Sequence, residues 1–300
     1  MRREFYNLND TLKISHLVVN GCSYTYGHGI EDPINDAWPS IIAKRLGVPL
    51  VNIALPGQGN TAIYRRTMQY FYKDLLNDNH PFYIHAYSQS TRREVYLAKT
   101  QQFRIVGGEG NVSELEKEII MNSDDHYYCL LQQDKLHRWA SINHLLDAHN
   151  IPHLMSDYMP EPNGTTVEFQ EKHETILKTE LECHPGKLQD FNEVTKHIAK
   201  TTCLHETVEG HALLADYIWK EIENRYDDIE VVDLPHAKLH DILIHTPKTE
   251  ADIKYSKQPI DYSIDYYPLD FCRNVYYFHE LGMDYTKKNW AGKPTILETP

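Results

Sequence analysis

A serine that could attack a carbonyl stands at position 23, in GCSYTYG (Gly21 to Gly27), directly after the apolar run ISHLVV. A serine in a tight turn just after a buried strand can expose its Oγ, and its backbone N–H can face the same pocket. The pattern is not the GxSxG elbow, because Thr25 stands where the second glycine would be. A second segment, ALPGQGN (Ala54 to Asn60), follows another apolar run. Its glycines allow close approach of backbone to a ligand, and the Gly57 N–H could polarise a substrate carbonyl. The third is HETVEGH (His205 to His211). Thr207 can cap a helix there, which leaves His205 in the preceding loop, able to face the serine. Taken singly, these are also a Gly-Ser turn, an ordinary βα loop and a solvated histidine.

Taken together, their order and spacing resemble the SGNH/GDSL hydrolase family over roughly residues 15 to 225. GCSYTYG is similar to that family's first block, NIALPGQGN to its second, and HETVEGHALLADYI to its last. The resemblance implies that Ser23 is the nucleophile and His205 its general base. It implies that the backbone N–H groups of Ser23 and Gly57 hold the oxyanion. Similar tyrosine-rich versions occur among bacteriophage-encoded proteins.

Two positions depart from the family pattern. Thr202 stands where the last block carries an aspartate three residues before the histidine. A threonine cannot steady an imidazolium by charge, so Glu206, Asp157 or a backbone carbonyl could substitute. The third block, GxND, is replaced by HAYSQSTRRE (His85 to Glu94). Ser88, Gln89 or Ser90 could supply the missing oxyanion donor. Arg92 and Arg93 could bind an anionic group or simply stand in solvent. Both departures also fit a protein that keeps the fold without the rate.

The elements that must position these residues read as alternating strands and helices. Strands are predicted at residues 14 to 19, 48 to 55, 81 to 86 and 151 to 157. Helices are predicted at 37 to 47, 60 to 76 (capped by Asn60 or Thr61), 124 to 150, near 186 to 200, and 208 to 226. Residues 104 to 114 read as a surface loop. This alternation predicts an α/β fold, a three-layer α/β/α sandwich with a parallel sheet. Reactive loops in such sheets sit at the carboxyl ends of the strands. The sequence divides into a hydrolase-like domain, 1 to 226, and a Tyr-rich, irregular C-terminal extension, 227 to 300, packed on the domain or on a protein partner.

Composition bounds the function. Asp and Glu number 43 against 30 Lys and Arg, a net charge of −13, which argues against a nucleic-acid-binding surface. Five cysteines are scattered without a CxxC, so neither a disulfide framework nor a zinc ribbon is expected. Cys22 beside Ser23 reads as a buried inert thiol rather than a nucleophile. His236, His240 and His245 are spaced at helical intervals but lack the HExxH glutamate, so no metal and no cofactor is expected. No signal peptide or membrane span is visible, and a cytoplasmic or virion location is expected. The expected substrate is a small ester or an acylated glycan.

Overall fold

The computed structural model describes residues 11–76, 79–90, 92–97, 102–106, 125–158, 172–201 and 205–232, with short strands at 283–284 and 295–296. The strands are β1 (Thr11–Ile14), β2 (His16–Asn20), β3 (Leu50–Asn52), β4 (Pro81–Tyr87), β5 (Arg93–Leu97), β6 (Gln102–Val106), β7 (His153–Asp157) and β8 (Asp228–Val231), then β9 (Met283–Asp284) and β10 (Thr295–Ile296). The helices are α1 (Ser23–Tyr26), α2 (Pro33–Asp36), α3 (Trp38–Leu46), α4 (Asn60–Leu76), α5 (Asp125–Ala148), α6 (Lys172–Glu182), α7 (Phe191–Val194) and α8 (Val208–Glu223).

Four strands form a parallel sheet in the order β3-β2-β4-β7. Side chains alternate across it because a strand has a period of two. Leu17, Val19, Phe82, Ile84, Ala86 and Leu154 face α3 and α8, where Trp38, Ile42, Leu214 and Ile218 complete a core. Val18, Val51, Tyr83, Tyr87 and Met155 face α4 and α5, packing on Ile63, Phe71, Trp139 and Ile142. Both faces are covered, and the fold is an α/β three-layer sandwich with a parallel sheet, as the alternation implies.

The chain runs from β2 outward to β3, then crosses back so that β4 lies on the other side of β2. The direction of winding therefore reverses between β2 and β4. Open α/β sheets bind ligands in the crevice beyond the strand ends at such a reversal. The turn carrying Ser23 leaves β2, and the segment from Ser88 to Arg92 leaves β4.

Several expectations need correction. The first strand is broken at Ser15, so that β1 pairs in parallel with β8. Regular structure thus continues past residue 226: β8 lies in the stretch read as an irregular extension, most of which falls outside the described residues. The helix expected near 186 to 200 is only the short α7. Residues 186 to 188 instead lie along the edge of β7, with Met155 N–H donating to the Gly186 carbonyl and Leu188 N–H to that of Met155. Only glycine fits there, since a Cβ on Gly186 would come within 2.5 Å of the His153 carbonyl oxygen. Residues 93 to 106 contain the antiparallel hairpin β5–β6, which was not foreseen. Asn60 does not cap α4: its side chain reaches to another loop.

Candidate active site

Ser23 opens α1, one residue after the N-cap Cys22. As the first helical residue it has no partner for its N–H within the helix. The turn is tight: Gly27 ends α1 in the left-handed region at φ 89°. Gly21 leaves no room for a side chain, with Thr25 Oγ1 only 2.2 Å from where a Cβ would stand. Cys22 is fully buried, which fits an inert thiol.

The loop after β3 is stitched to this turn. Leu55 N–H donates to the Gly21 carbonyl at 3.3 Å, and Gln58 Nε2 donates to Asn20 Oδ1 at 2.6 Å. Asn20 Oδ1 also accepts from Gly21 N–H at 2.9 Å. Gln58 is steadied by Arg66, whose Nη1 donates to its Oε1 at 2.9 Å. Gln58 N–H donates to the Leu55 carbonyl, and Gly57 has φ 75°. Leu55-Pro56-Gly57-Gln58 is therefore a type II turn, with proline and glycine at the positions that turn requires.

The loop after β4 is fixed to the same assembly by Asn60. Its Nδ2 donates to the carbonyls of Ser88 (2.8 Å) and Gln89 (3.1 Å), and its Oδ1 accepts from Ser88 N–H (2.9 Å). Ser88 is fully buried and its N–H is engaged, whereas Gln89 is half-buried. Arg92 N–H closes a turn onto the Gln89 carbonyl at 3.2 Å. Arg92 is no solvated arginine: it is 7% exposed, and its Nε and Nη1 have no hydrogen-bond partner among the described residues. The Arg93 side chain lies outside what is described.

His205 comes from much later in the chain than Ser23. Thr201 grips its backbone: Thr201 N–H and Oγ1 donate to the His205 carbonyl at 2.8 and 3.1 Å, and Thr201 Oγ1 accepts from His205 N–H at 3.0 Å. Two residues on, Thr207 caps α8 by accepting from Gly210 N–H. The result brings His205 Nε2 to 2.7 Å from Ser23 Oγ. That is hydrogen-bond distance for a hydroxyl and its base.

Aromatic rings surround this pair. Tyr24 lies 4.5 Å from His205, centroid to centroid, and 4.5 Å from Tyr158. His28 meets His205 edge-on at 4.8 Å, and burial holds His28 below the usual histidine range. His211, also in the last motif, is fully buried; its Nδ1 accepts from Trp38 N–H at 3.4 Å. Burial first, then the charges of His205 and Lys200, push it down to about 3. His211 therefore ties α8 to α3 as a neutral group. Sequence reading gave Tyr24, His28 and Tyr158 no role, although the run YTYGH after Ser23 was the available signal.

Neither carboxylate named as a substitute acid is held ready for His205. Glu206 Oε1 accepts from Tyr158 Oη (2.8 Å), Thr195 Oγ1 (2.6 Å) and Lys200 Nζ, and Oε2 has no hydrogen-bond partner. Asp157 Oδ2 pairs with Lys135 Nζ at 2.7 Å. Thr202, and the histidines at 236, 240 and 245, lie outside the described residues.

Asp147, His153 and His184 gather at the opposite end of the sheet, their donor atoms within 4.8 Å of one another. His184 Nδ1 accepts from Gly186 N–H at 3.0 Å, which puts the ring proton on Nε2, facing Asp147 Oδ2 at 3.2 Å. That tautomer makes a hydrogen bond, not a ligand set. No helix among the described residues is long and apolar enough to cross a membrane.

Comparison with known proteins finds no matching family model and no matching curated protein. Solved structures similar to this chain include a psychrotrophic esterase of Pseudoalteromonas sp., with TM-score 0.41 and 8% identity, over 70% of this chain and 97% of that one. A GDSL-like lipase of Bacteroides thetaiotaomicron gives 0.39 and 14%, over 70% and 88%. An acetyl xylan esterase of Butyrivibrio proteoclasticus gives 0.43 and 13%, over 70% and 64%. The similar structures are esterases and acylhydrolases, GDSL-type among them.

Proposed function

We propose that this chain is a serine acyl-ester hydrolase of SGNH type. The observation that carries the reading is the 2.7 Å approach of His205 Nε2 to Ser23 Oγ, at the reversal of the parallel sheet. Ser23 Oγ attacks the ester carbonyl while His205 Nε2 takes its proton. The carbonyl oxygen becomes an oxyanion, held by the N–H groups of Ser23 and Gly57, with the Ser88–Gln89 segment as the third side. The tetrahedral intermediate collapses, and His205 returns the proton to the leaving alcohol. A water, deprotonated by the same histidine, then releases the acid and restores Ser23. One oxyanion donor is worth about 10²–10³ in rate in such sites.

The substrate we favour is an O-acetylated glycan. The C-terminal residues are proposed as a protein-binding extension, and the chain as a cytoplasmic or virion protein. A second reading, an inactive scaffold of the same fold, is favoured by Thr202 at the acid position. A fluorophosphonate probe separates the two. Labelling that maps to Ser23 and disappears in Ser23→Ala supports the hydrolase; a folded, unlabelled protein supports the scaffold.

A further inference from the structure

We propose that Arg92 is an anion-binding residue at the crevice between β2 and β4. The ester this chain takes then carries a carboxylate or phosphate beside its acyl group. The substrate class rests on the serine-hydrolase reading; the anion site itself does not.

A guanidinium stays charged at every physiological pH. Burying it is costly unless a counter-ion or hydrogen bonds replace water. Arg45, Arg138 and Arg225 pair with Asp216, Asp134 and Glu221, and Arg66 donates to Gln58. Arg92 makes none of these arrangements. It is 7% exposed, and its Nε and Nη1 are shut off from solvent without a hydrogen-bond partner. Nη2 is the one guanidinium nitrogen not shut off in this way. Nη2 can therefore donate a charge-assisted N–H bond to an anion that reaches it.

The placement points to the ligand crevice. Arg92 ends the turn that begins at Gln89, on the loop leaving the carboxyl end of β4. Asn60 clamps that loop to the start of α4, so the arginine stands on a fixed base. β4 neighbours β2, which delivers Ser23. The chain as a whole carries −13, so a general field repels anions, and a bound anion must owe its place to a local group. Among glycans this selects acetylated sugar acids and sugar phosphates over neutral sugars.

The test uses the full chain. Glucuronate and inorganic phosphate are titrated calorimetrically into Ser23→Ala and into Ser23→Ala with Arg92→Gln or Arg92→Lys. Binding should weaken about 10-fold or more in Arg92→Gln and less in Arg92→Lys, which keeps the charge. Thermal melts accompany the titrations. Removing a buried charge that lacks a protein partner should leave Tm unchanged or raise it. A lower Tm with unchanged affinity would mean a structural arginine and overturn the proposal. With Ser23 intact, the ratio of kcat/KM for an acetylated glucuronide over the matching acetylated glucoside should exceed about 10 and fall toward one in Arg92→Gln. Glucuronate binding that depends on Arg92, without labelling of Ser23, would sink the hydrolase reading and leave the anion site standing. Labelling of Ser23 with no dependence on Arg92 in either assay would do the reverse.

Discussion

Tyr24 and His205 lie ring against ring, centroids 4.5 Å apart and planes tilted by 32°. The face of an aromatic ring is negative and attracts a neighbouring cation. In the proposed mechanism His205 becomes such a cation when it takes the proton of Ser23. Tyr24 also packs on Tyr158, whose hydroxyl donates to the Glu206 carboxylate. His28 meets His205 through an edge, and burial holds His28 neutral at ordinary pH. Lys200 is paired with Glu206. In that mechanism the ring of Tyr24 would supply part of what an aspartate supplies elsewhere. A cation–π contact is worth about 0.5–2 kcal/mol. Tyr24→Leu should therefore lower the plateau of kcat/KM on an acetyl ester roughly 2- to 30-fold. The acidic limb of the pH profile should move to lower pH, because the protonated ring loses support. Tyr24→Phe keeps the face and should retain most of the rate. Equal losses in Phe and Leu would assign the effect to the hydroxyl.

Glu206 serves the histidine indirectly. Its carboxylate gathers Tyr158, Thr195 and Lys200, while the paired backbone at 200 and 206 carries the loop that presents His205. Glu206 is fully buried and Lys200 is 23% exposed. Breaking a buried pair by removing one partner costs about 3–5 kcal/mol, toward the low end here because Lys200 keeps some water. Glu206→Leu should lower Tm sharply, and Glu206→Gln less, since an amide oxygen still accepts. At a temperature where Glu206→Gln is folded, Ser23 should still be labelled. A fold-preserving Glu206→Gln that loses about 10⁴ in rate would instead identify Glu206 as the triad acid.

How far sequence reached depended on how local each feature is. Ser23 and His205 each sit in a contiguous motif, one just past a strand and one just before a capped helix, and the two meet at 2.7 Å. The sheet's layers followed because strands buried on both faces alternate with amphipathic helices. The missed features are set by partners distant in the chain. β8 needs β1 beside it, and Gly186 is drawn to the edge of β7 rather than into a helix. Asn60 looks like a helix cap until the loop at Ser88 is in place to compete for its side chain. Arg92 sits in a run of polar residues, and nothing local distinguishes a buried guanidinium from a solvated one. Tyr24 has no local signal that sets it apart until His205 arrives against it.

Three buried histidines should make the protein acid-labile. Burial pushes His85 down to about 3, His153 to about 4 and His211 to about 3. In the unfolded chain each takes up a proton near pH 6.5. Below that value the unfolded state holds protons that the folded state refuses. Stability is therefore full above about pH 6.5 and falls as pH drops toward the folded values. Each group removes roughly 1.4 kcal/mol per pH unit, so the three together remove about 4. Two such units remove about 8 kcal/mol, a large share of a total stability of about 5–15 kcal/mol. Urea midpoints measured from pH 7.5 to 4.5 should drop with a slope near three protons. His85 has neither ring nitrogen hydrogen-bonded and stacks on Tyr83. His85→Phe should therefore fold and lower the slope by about one proton; a flat profile in the wild type would refute the linkage.

The closest packing in the nucleophile turn gives the sharpest steric test. A Cβ on Gly21 would stand 2.2 Å from Thr25 Oγ1, 2.7 Å from Thr25 Cβ and 3.0 Å from the Ala86 carbonyl oxygen. Rotating the threonine moves its hydroxyl but not its Cβ, and the carbonyl belongs to β4. The turn itself must give way in Gly21→Ala, and Ser23, two residues on, moves with it. A displacement of about 1 Å at a reacting group can cost on the order of 10²-fold in rate. Gly21→Ala should accordingly lower kcat/KM by about that factor and reduce Tm. Thr25→Gly removes both threonine atoms, at a cost of roughly 1 kcal/mol as a glycine in a helix. Added to Gly21→Ala, it should restore part of the lost rate even though the double variant is less stable than the wild type. The Ala86 carbonyl stays in place, so recovery should be incomplete. The cycle of four proteins, assayed for Ser23 labelling and for Tm, then reads the two effects apart. Rate loss that Thr25→Gly does not relieve at all would locate the obstruction at β4 rather than at α1.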